Sequence, residues 1–444
     1  MGITSALYSG VSGLNSNSQA MSVIGNNLAN TNTLGFKGSR TVFSDMLSST
    51  ISGSGGQSQV GRGVTISKVD NIFSQGTFEA TASDTDVAIE GEGFFVLKEE
   101  GNDTALYSRA GAFRFNEDGY LVNPEGYRVQ GKGYDANGDL IAGDPGNIQV
   151  EDVGLKAAKA TNVVNLNFNL DSSAVVLAPA YTAAGAYDPE NNPVDPASIN
   201  YSSSSLLYDS LGESHLITMY FSKTAANNWE VRWSGEDAAG VPLVADPLAA
   251  PLAGGNGVPL VFDVNGKLLD VNGVNDEDPN YIPVTAPLAG LDFANGSAPV
   301  DIEIAFDTTQ FNSVSTVIGQ DQDGYAAGNL TNVGIDAEGT VIASYSNGEQ
   351  NKIATMVLAK FNNPGGLELV GSNMFIGTDS SGTARTGLPG PELGKIFTNS
   401  LEQSNVDMGQ QFVKMITTQR GFQANSKIIT TVDELLGELI NLKR

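Results

Sequence analysis

Three stretches of the sequence bring together residue types that could do chemistry. Gly126-Tyr-Arg-Val-Gln-Gly131-Lys132 has the glycine and lysine spacing of a phosphate-binding loop. The next position would have to offer magnesium a hydroxyl, and Gly133 has none. The surroundings also read as a hairpin rather than a strand entering a helix, so a nucleotide site is not specified. Asp321, Asp323 and Gly324 resemble part of a calcium loop, but Gly319 stands where the first ligand belongs and Leu330 where the closing carboxylate belongs. The Asn-Gly pairs at Asn137-Gly138, Asn265-Gly266 and Asn272-Gly273 read more simply as tight turns. His215 is the single histidine, too little for a histidine-based metal or acid–base centre, and it reads as a strand or turn residue with satisfied hydrogen bonds. No spacing among the 50 acidic residues singles out a catalytic carboxylate pair. The absence of cysteine removes disulfides, thiol catalysis and cysteine–zinc sites together. The expectation is a protein that is not an enzyme, with no catalytic, metal or cofactor-binding residues.

What remains to be read is architecture. A chain of 444 residues has room for two or three domains. Its net charge is −27, with only 16% of residues charged. The acid is unevenly spread. Over residues 1–68, Lys37, Arg40, Arg62 and Lys68 outnumber Asp45, and residues 401–444 hold five basic and five acidic side chains, so the negative charge lies between them. An anionic middle faces solvent and repels phosphate backbones and anionic lipid, which argues against nucleic acid and membrane surfaces as partners. No stretch reaches the roughly 18 apolar residues of a membrane span, so no membrane insertion is expected. The N-terminus lacks the basic and apolar regions of a secretory signal, and Ala6 fails the myristoylation pattern begun by Met1-Gly2.

Both ends carry a helical stripe. Leu7, Leu14, Met21 and Leu28 recur every seven residues, with Val11 and Ile24 between them. Met408, Met415, Phe422, Ile429 and Leu436 do the same near the other end, with Val432 and Leu439 between. Such spacing makes a narrow apolar seam of coiled-coil type. It predicts a helix over about residues 4–31, roughly 40 Å long, and another over about 404–442, roughly 60 Å long. Ser404 with Asp407 looks like a capping box for the second. Gly10, Gly13 and Gly25 each weaken the first by about 1 kcal/mol, so it should form only against a partner. Ends that order on assembly are expected.

The middle reads as β. A Gly/Ser/Gln tract at 52–63 has the composition of a flexible connector. Phe113, Phe115, Tyr120, Val122, Tyr127 and Val129 then alternate across turns at Asn116–Gly119 and Asn123–Gly126, as in an antiparallel meander. Val164 to Leu170, Trp229 to Trp233 and Ile302 to Phe306 alternate apolar and polar residues, each as a half-buried strand. Ala/Pro/Gly-rich loops are expected at 178–198 and 241–259. The predicted fold is mixed and mainly β, with long N- and C-terminal helices pairing as a coiled coil around two nested, discontinuous β domains of barrel or sandwich type. The expected divisions are 1–70 with 401–444 (helical ends), 71–155 with 322–400 (middle β domain) and 156–321 (inserted outer β domain).

Several runs resemble the rod and hook axial proteins of the bacterial flagellum. Ser5-Ala-Leu-Tyr-Ser-Gly-Val-Ser-Gly-Leu14 and Ile24-Gly-Asn-Asn-Leu-Ala-Asn-Thr-Asn-Thr-Leu-Gly-Phe-Lys37 are similar to the family's shared N-terminal motif. Asn26, Asn27, Asn30, Thr31, Gly35, Phe36 and Lys37 carry it. Phe73 to Phe78, Asp86 to Val96 and Tyr107-Ser-Arg-Ala-Gly-Ala-Phe113 resemble the motifs that follow. Glu402-Gln-Ser404-Asn405-Val406-Asp407 and Met415 to Asn425, including Arg420, resemble the C-terminal motif. The likeness covers roughly 1–130 and 365–444. Length and the large insert resemble hook-type members better than the shorter distal-rod type, and Leu207 to Gly212 followed by His215 is similar to a hook-type segment. A secreted glycan-binding β protein is the reading of a different class. The resemblance implies a helical homopolymer, a curved hollow tube lined by the terminal helices that acts as a universal joint and export channel. It also implies an extracellular place in the flagellum, reached by type III export without a cleaved signal. The partners implied are the distal rod, the hook cap, the hook–filament junction proteins and the export apparatus.

Overall fold

A computed structural model describes residues 3–47, 49–53, 56–135, 138–150, 155–177, 197, 199–236, 258–271, 274–275 and 284–442. The chain is mainly β with a helix at each end. Helix α1 spans Ile3–Ala29 and helix α2 spans Met408–Leu442, and the two pack together. Two compact units result: Met1–Val153 with Asn332–Ser344 and Gln350–Arg444, and Gly154–Thr331 with Tyr345–Glu349.

In the first unit, α1 is followed by a strand pair rather than by a connector. Strand β1 (Ser39–Asp45) pairs antiparallel with β4 (Val64–Asn71), and between them β2 (Ser49–Gly53) pairs with β3 (Gly56–Val60). The tract at 52–63 thus belongs largely to a hairpin, correcting the flexible-connector expectation. Small polar residues hide the pairing from a composition argument, while the Val64, Ile66 alternation beside it was the available signal. The β1–β4 pair lies along α1, where Ser12 Oγ accepts the Val64 amide at 3.2 Å.

The β body of this unit runs through Gln350–Met356, Arg128–Gly133, Phe94–Lys98, Ala105–Ser108, Met374–Ile376 and Glu368–Gly371 in that spatial order. The meander turns form as expected, with Gly119 and Gly126 at positive φ. Early and late segments pair directly: Val87–Glu90 with Lys395–Thr398, and Phe78–Ala80 with Ser400–Glu402. Phe95, Leu97, Phe113 and Met356 are buried in one core cluster, and Phe94, Tyr107, Phe361 and Phe375 in a second.

Among the described residues, the second unit is built mainly on two sheets. Val163–Asp171 is central in one, parallel to Val300–Phe306 and antiparallel to Thr316–Gln322. The other is an antiparallel run beginning Tyr201–Tyr208, Ser214–Ala225, Asn228–Gly235 and Val258–Phe262. The alternating residues point inward as read: Leu166, Phe168, Trp229, Val231, Ile304 and Phe306 are buried together, with Trp233 partly buried against them. The turn at Asn265-Gly266 is present, with Gly266 at φ 84°. Asn137, Asn272-Gly273 and most of the loops expected at 178–198 and 241–259 lie outside the described residues. Among the described residues, no helix is long and apolar enough to cross a membrane.

Candidate functional site

The two helices run antiparallel: Gly10 approaches Ile429, Gly13 approaches Asn425, Gly421 approaches Asn17, and Asn27 lies 3.5 Å from Gln411. The buried line along α1 is Gly10, Gly13, Ser16, Ala20, Ile24 and Asn27. A Cβ on Gly13 would stand 2.7 Å from the Asn425 amide, and one on Gly10 would stand 3.2 Å from Ile429 Cγ1. Gly10 and Gly13, two of the three glycines read as weak points, are therefore places of close approach, whereas nothing stands within 4 Å of a Cβ on Gly25. The apolar stripe flanks this seam. Of its residues Ile24 and Val432 are buried; Leu7, Leu14, Met21, Leu28, Met415, Ile429 and Leu436 are half-buried; Val11, Met408 and Phe422 are exposed. The side chain of Leu439 lies outside the described residues.

Beyond the seam, α2 presents a second apolar surface. Phe412, Val413, Ile416, Ile428, Leu435 and Ile440 are between 45% and 67% exposed. Exposed large side chains on this scale along one helix are characteristic of an interaction surface. The helix starts at Met408, with Asp407 Oδ1 accepting the Gln410 amide at 2.9 Å. Asp407 is the cap, and Ser404 instead accepts the Val406 amide three residues earlier, which corrects the expected capping box.

At the base of the helix pair the motif residues form a buried polar knot. Lys37 Nζ lies 2.7 Å from Glu402 Oε1, and both side chains are 0% exposed. The same ammonium donates to the Ser74 carbonyl at 2.9 Å, and the Gly76 amide donates to Glu402 Oε1 at 2.8 Å. Arg109, also buried, approaches Glu402 Oε2 at 3.5 Å while donating to the Gly91 carbonyl at 2.6 Å. Burial pulls the Lys37 ammonium and the Arg109 guanidinium below their usual ranges, and Glu402 opposes this for both. Removing one partner of such a cluster leaves an uncompensated buried charge, at a cost of about 3–5 kcal/mol. Arg109 Nε and Glu402 Oε2 have no hydrogen-bond partner.

Neutral motif residues extend the knot. Asn27 takes the Ser39 amide at 2.9 Å and donates to the Ser39 carbonyl at 2.7 Å, fastening α1 to β1. Asn405 takes the Gly38 amide at 2.8 Å and donates to the Ile72 carbonyl at 2.7 Å. Gly35, at φ 63°, donates its amide to the Glu402 carbonyl, and a Cβ there would stand 2.6 Å from the Arg109 backbone. Phe36 is buried, and Val406 packs within 3.0 Å of where a Cβ on Gly38 would be. Asn26, Asn30 and Thr31 finish α1: Asn30 donates to the Asn26 carbonyl at 2.9 Å, and Thr31 to the Leu28 carbonyl at 2.5 Å. Asn26 and Asn30 also border a cavity of about 500 Å³ whose one ionisable lining residue is Glu125. Arg420 is exposed on α2, apart from the knot. Arg109 and Glu402 sit inside motifs visible in the sequence, but nothing in a linear reading marked them as partners of Lys37.

In the second unit, Asp209, Glu213 and His215 have their ligating atoms within 4.8 Å of one another, the residue types of a metal site. Protein donors already converge there. Asn295 Nδ2 donates to Asp209 Oδ2 at 2.5 Å and to Glu213 Oε2 at 2.9 Å, and Asp209 Oδ1 takes the amides of Leu211 and Glu213. His215 Nε2 lies 3.2 Å from Asp209, and its ring stacks on Phe293. Burial pushes the Asp209 carboxyl up, but these hydrogen bonds together win and hold it at about 2. The group is a hub for the hairpin turn, which agrees with the expected hydrogen-bonded His215.

Four family models match the chain: "Flagella basal body rod protein" at 7–37, "Flagellar hook protein FlgE/F/G D1 domain" at 88–171, "Flagellar basal body protein FlaE D2 domain" at 169–325, and "Flagellar basal body rod FlgEFG protein C-terminal" at 398–442. The chain is 37% identical to the flagellar hook protein FlgE of Borreliella burgdorferi, over 99% of each chain. It is 33% identical to that of Escherichia coli, over 99% of this chain and 100% of the other. A crystal structure of Helicobacter pylori flagellar hook protein FlgE2 aligns with 73% of this chain and 99% of its own, at a TM-score of 0.48 and 16% identity.

Proposed function

The chain belongs to the flagellar hook protein family, and from that premise we propose that it polymerises into a curved hollow tube, a universal joint that passes motor torque to the filament and a channel for exported subunits. The observation that carries this reading is the two-sided character of α2. One side closes on α1, and the remaining apolar side chains, Phe412, Val413, Ile416, Ile428, Leu435 and Ile440, stay exposed in the single subunit. Copies of the same helix pair, stacked into a tube, bury them. In this reading the terminal parts (1–70 and 401–444) form the inner layer, 71–155 with 322–400 the middle, and 156–321 the outside. The stripe residues that flank the α1–α2 seam, including exposed Val11, Met408 and Phe422, then meet neighbouring copies.

The role is structural rather than enzymatic. Its partners are further copies of itself and, at the ends of the tube, distal rod, hook cap and hook–filament junction proteins. The subunit reaches an extracellular position through the flagellar type III export apparatus. The test is Ile416→Asp with Leu435→Asp in the full chain, examined by electron microscopy under polymerising conditions. The parent should form curved tubes, and the variant should keep its circular dichroism spectrum and form none. Straight tubes from the parent would assign it to the rod instead, and tubes from the variant would remove α2 from the assembly surface.

A further inference from the structure

Helix α1 carries no charged side chain between Ile3 and Ala29. The charges on the described part of the helix pair therefore all sit on α2, and there they are divided by sign. Lys414, Arg420 and Lys427 come first, and Asp433, Glu434 and Glu438 follow. All six are exposed, and among the described residues none of them has an ion-pair partner. Lys443 and Arg444 lie outside the described residues. Arg420, Lys427 and Glu434 stand seven residues apart and so share one face of the helix. That face is opposite the side that closes on α1 through Asn425, Ile429 and buried Val432. Exposed Ile416 precedes them on the same face, so the charged line continues the apolar surface offered to other copies.

Within one helix Arg420 and Glu434 are roughly 21 Å apart and cannot meet. Copies related by the rotation and translation of a tube keep their α2 helices parallel. Side by side without an axial shift, parallel helices set Arg420 against Arg420 and Glu434 against Glu434. A shift of roughly 21 Å sets the basic part of one copy beside the acidic part of the next, with Glu438 one turn from Lys427. We propose that this divided charge sets the register between copies: Arg420 of one pairs with Glu434 of a second and fixes how far adjacent helices are shifted along the tube. The inference rests on the polymer reading, and the two failures are distinguishable. A parent chain that forms no tubes overturns both, while tubes insensitive to these charges overturn this inference alone.

The experiment compares full-length parent, Arg420→Glu, Glu434→Arg, the double reversal, and an equimolar mixture of the two single variants. The readout is the critical concentration for tube formation, measured by sedimentation. Each single reversal brings like charges together and should raise that concentration roughly fivefold. The double reversal should return it to the parental range. So should the mixture, in which each variant supplies the charge that the other lacks, a rescue that arises only between copies. Single variants that polymerise as the parent does overturn the proposal, and so do single variants that neither the double reversal nor the mixture rescues. Should a reversal lower the helix content seen by circular dichroism, Arg420→Gln and Glu434→Gln decide instead. Together they should raise the critical concentration no more than either alone, and additive increases overturn the pairing.

Discussion

The helix pair and the core of the second unit place their large apolar side chains in opposite ways. In the second unit Phe168, Phe221, Trp229, Phe293 and Phe306 are fully buried, and polar neighbours such as Asn167, Asn228 and Glu230 are half-buried or exposed. In the helix pair the buried line on α1 is made mostly of glycine, serine, alanine and asparagine, while Phe412, Val413 and Ile440 of α2 look outward. The β core is finished within one chain. The helices are finished only in company, because a seam of small residues gives close approach but buries little apolar area. The knot of Lys37, Arg109 and Glu402 joins the unfinished part to a finished one.

The largest test of the contrast is to truncate one big side chain in each region. Trp229→Ala, which empties a core site and strands Gln310, should cost about 3–5 kcal/mol in the unfolding of its unit. Phe412→Ala, an exposed position in the single subunit, should change subunit stability by less than about 0.5 kcal/mol while raising the concentration needed for polymerisation. Equal losses in denaturant titrations of the unpolymerised chains would break the comparison.

A middle-sized effect belongs to Asp209. Its folded carboxyl sits at about 2, below the unfolded value of 3.8, so its contribution is present above pH 3.8 and lost as pH falls toward 2. About 2 kcal/mol of stability in the second unit should disappear across that window. Asp209→Asn should be less stable at neutral pH and show a flatter slope between pH 4 and 2 in melting experiments. A parallel slope would assign the acid sensitivity to other carboxylates.

The smallest effect separates two glycines of α1. Gly25 has nothing within 4 Å of its would-be Cβ, so Gly25→Ala should add about 1 kcal/mol of helix stability. Gly13→Ala has the same propensity gain but meets Asn425 at 2.7 Å, so the helix pair should be weakened or displaced. Far-UV thermal melts that move together for both variants would show that close approach does not matter.

Much of this molecule was legible without coordinates. Regular patterns are local, so the heptad spacing of Leu7 to Leu28 and Met408 to Leu436 marked both helices, and alternation at Val164 to Leu170 and Ile302 to Phe306 placed inward-facing strands. The motifs around Asn27, Lys37 and Asn405 were visible as motifs. Their purpose was not, because a salt bridge between residues 37 and 402 leaves no local trace in either segment. For the same reason the parallel pairing of Val163–Asp171 with Val300–Phe306, and the seam that turns Gly10 and Gly13 into contact points, required the fold. By itself, the sequence determined where elements form and which face of each strand is apolar, since backbone propensity and residue period act over a few positions. The tertiary structure alone decided which distant groups meet, because meeting depends on how the whole chain closes, and it was there that Gly13 came to face Asn425 and Glu402 came to face Lys37 and Arg109.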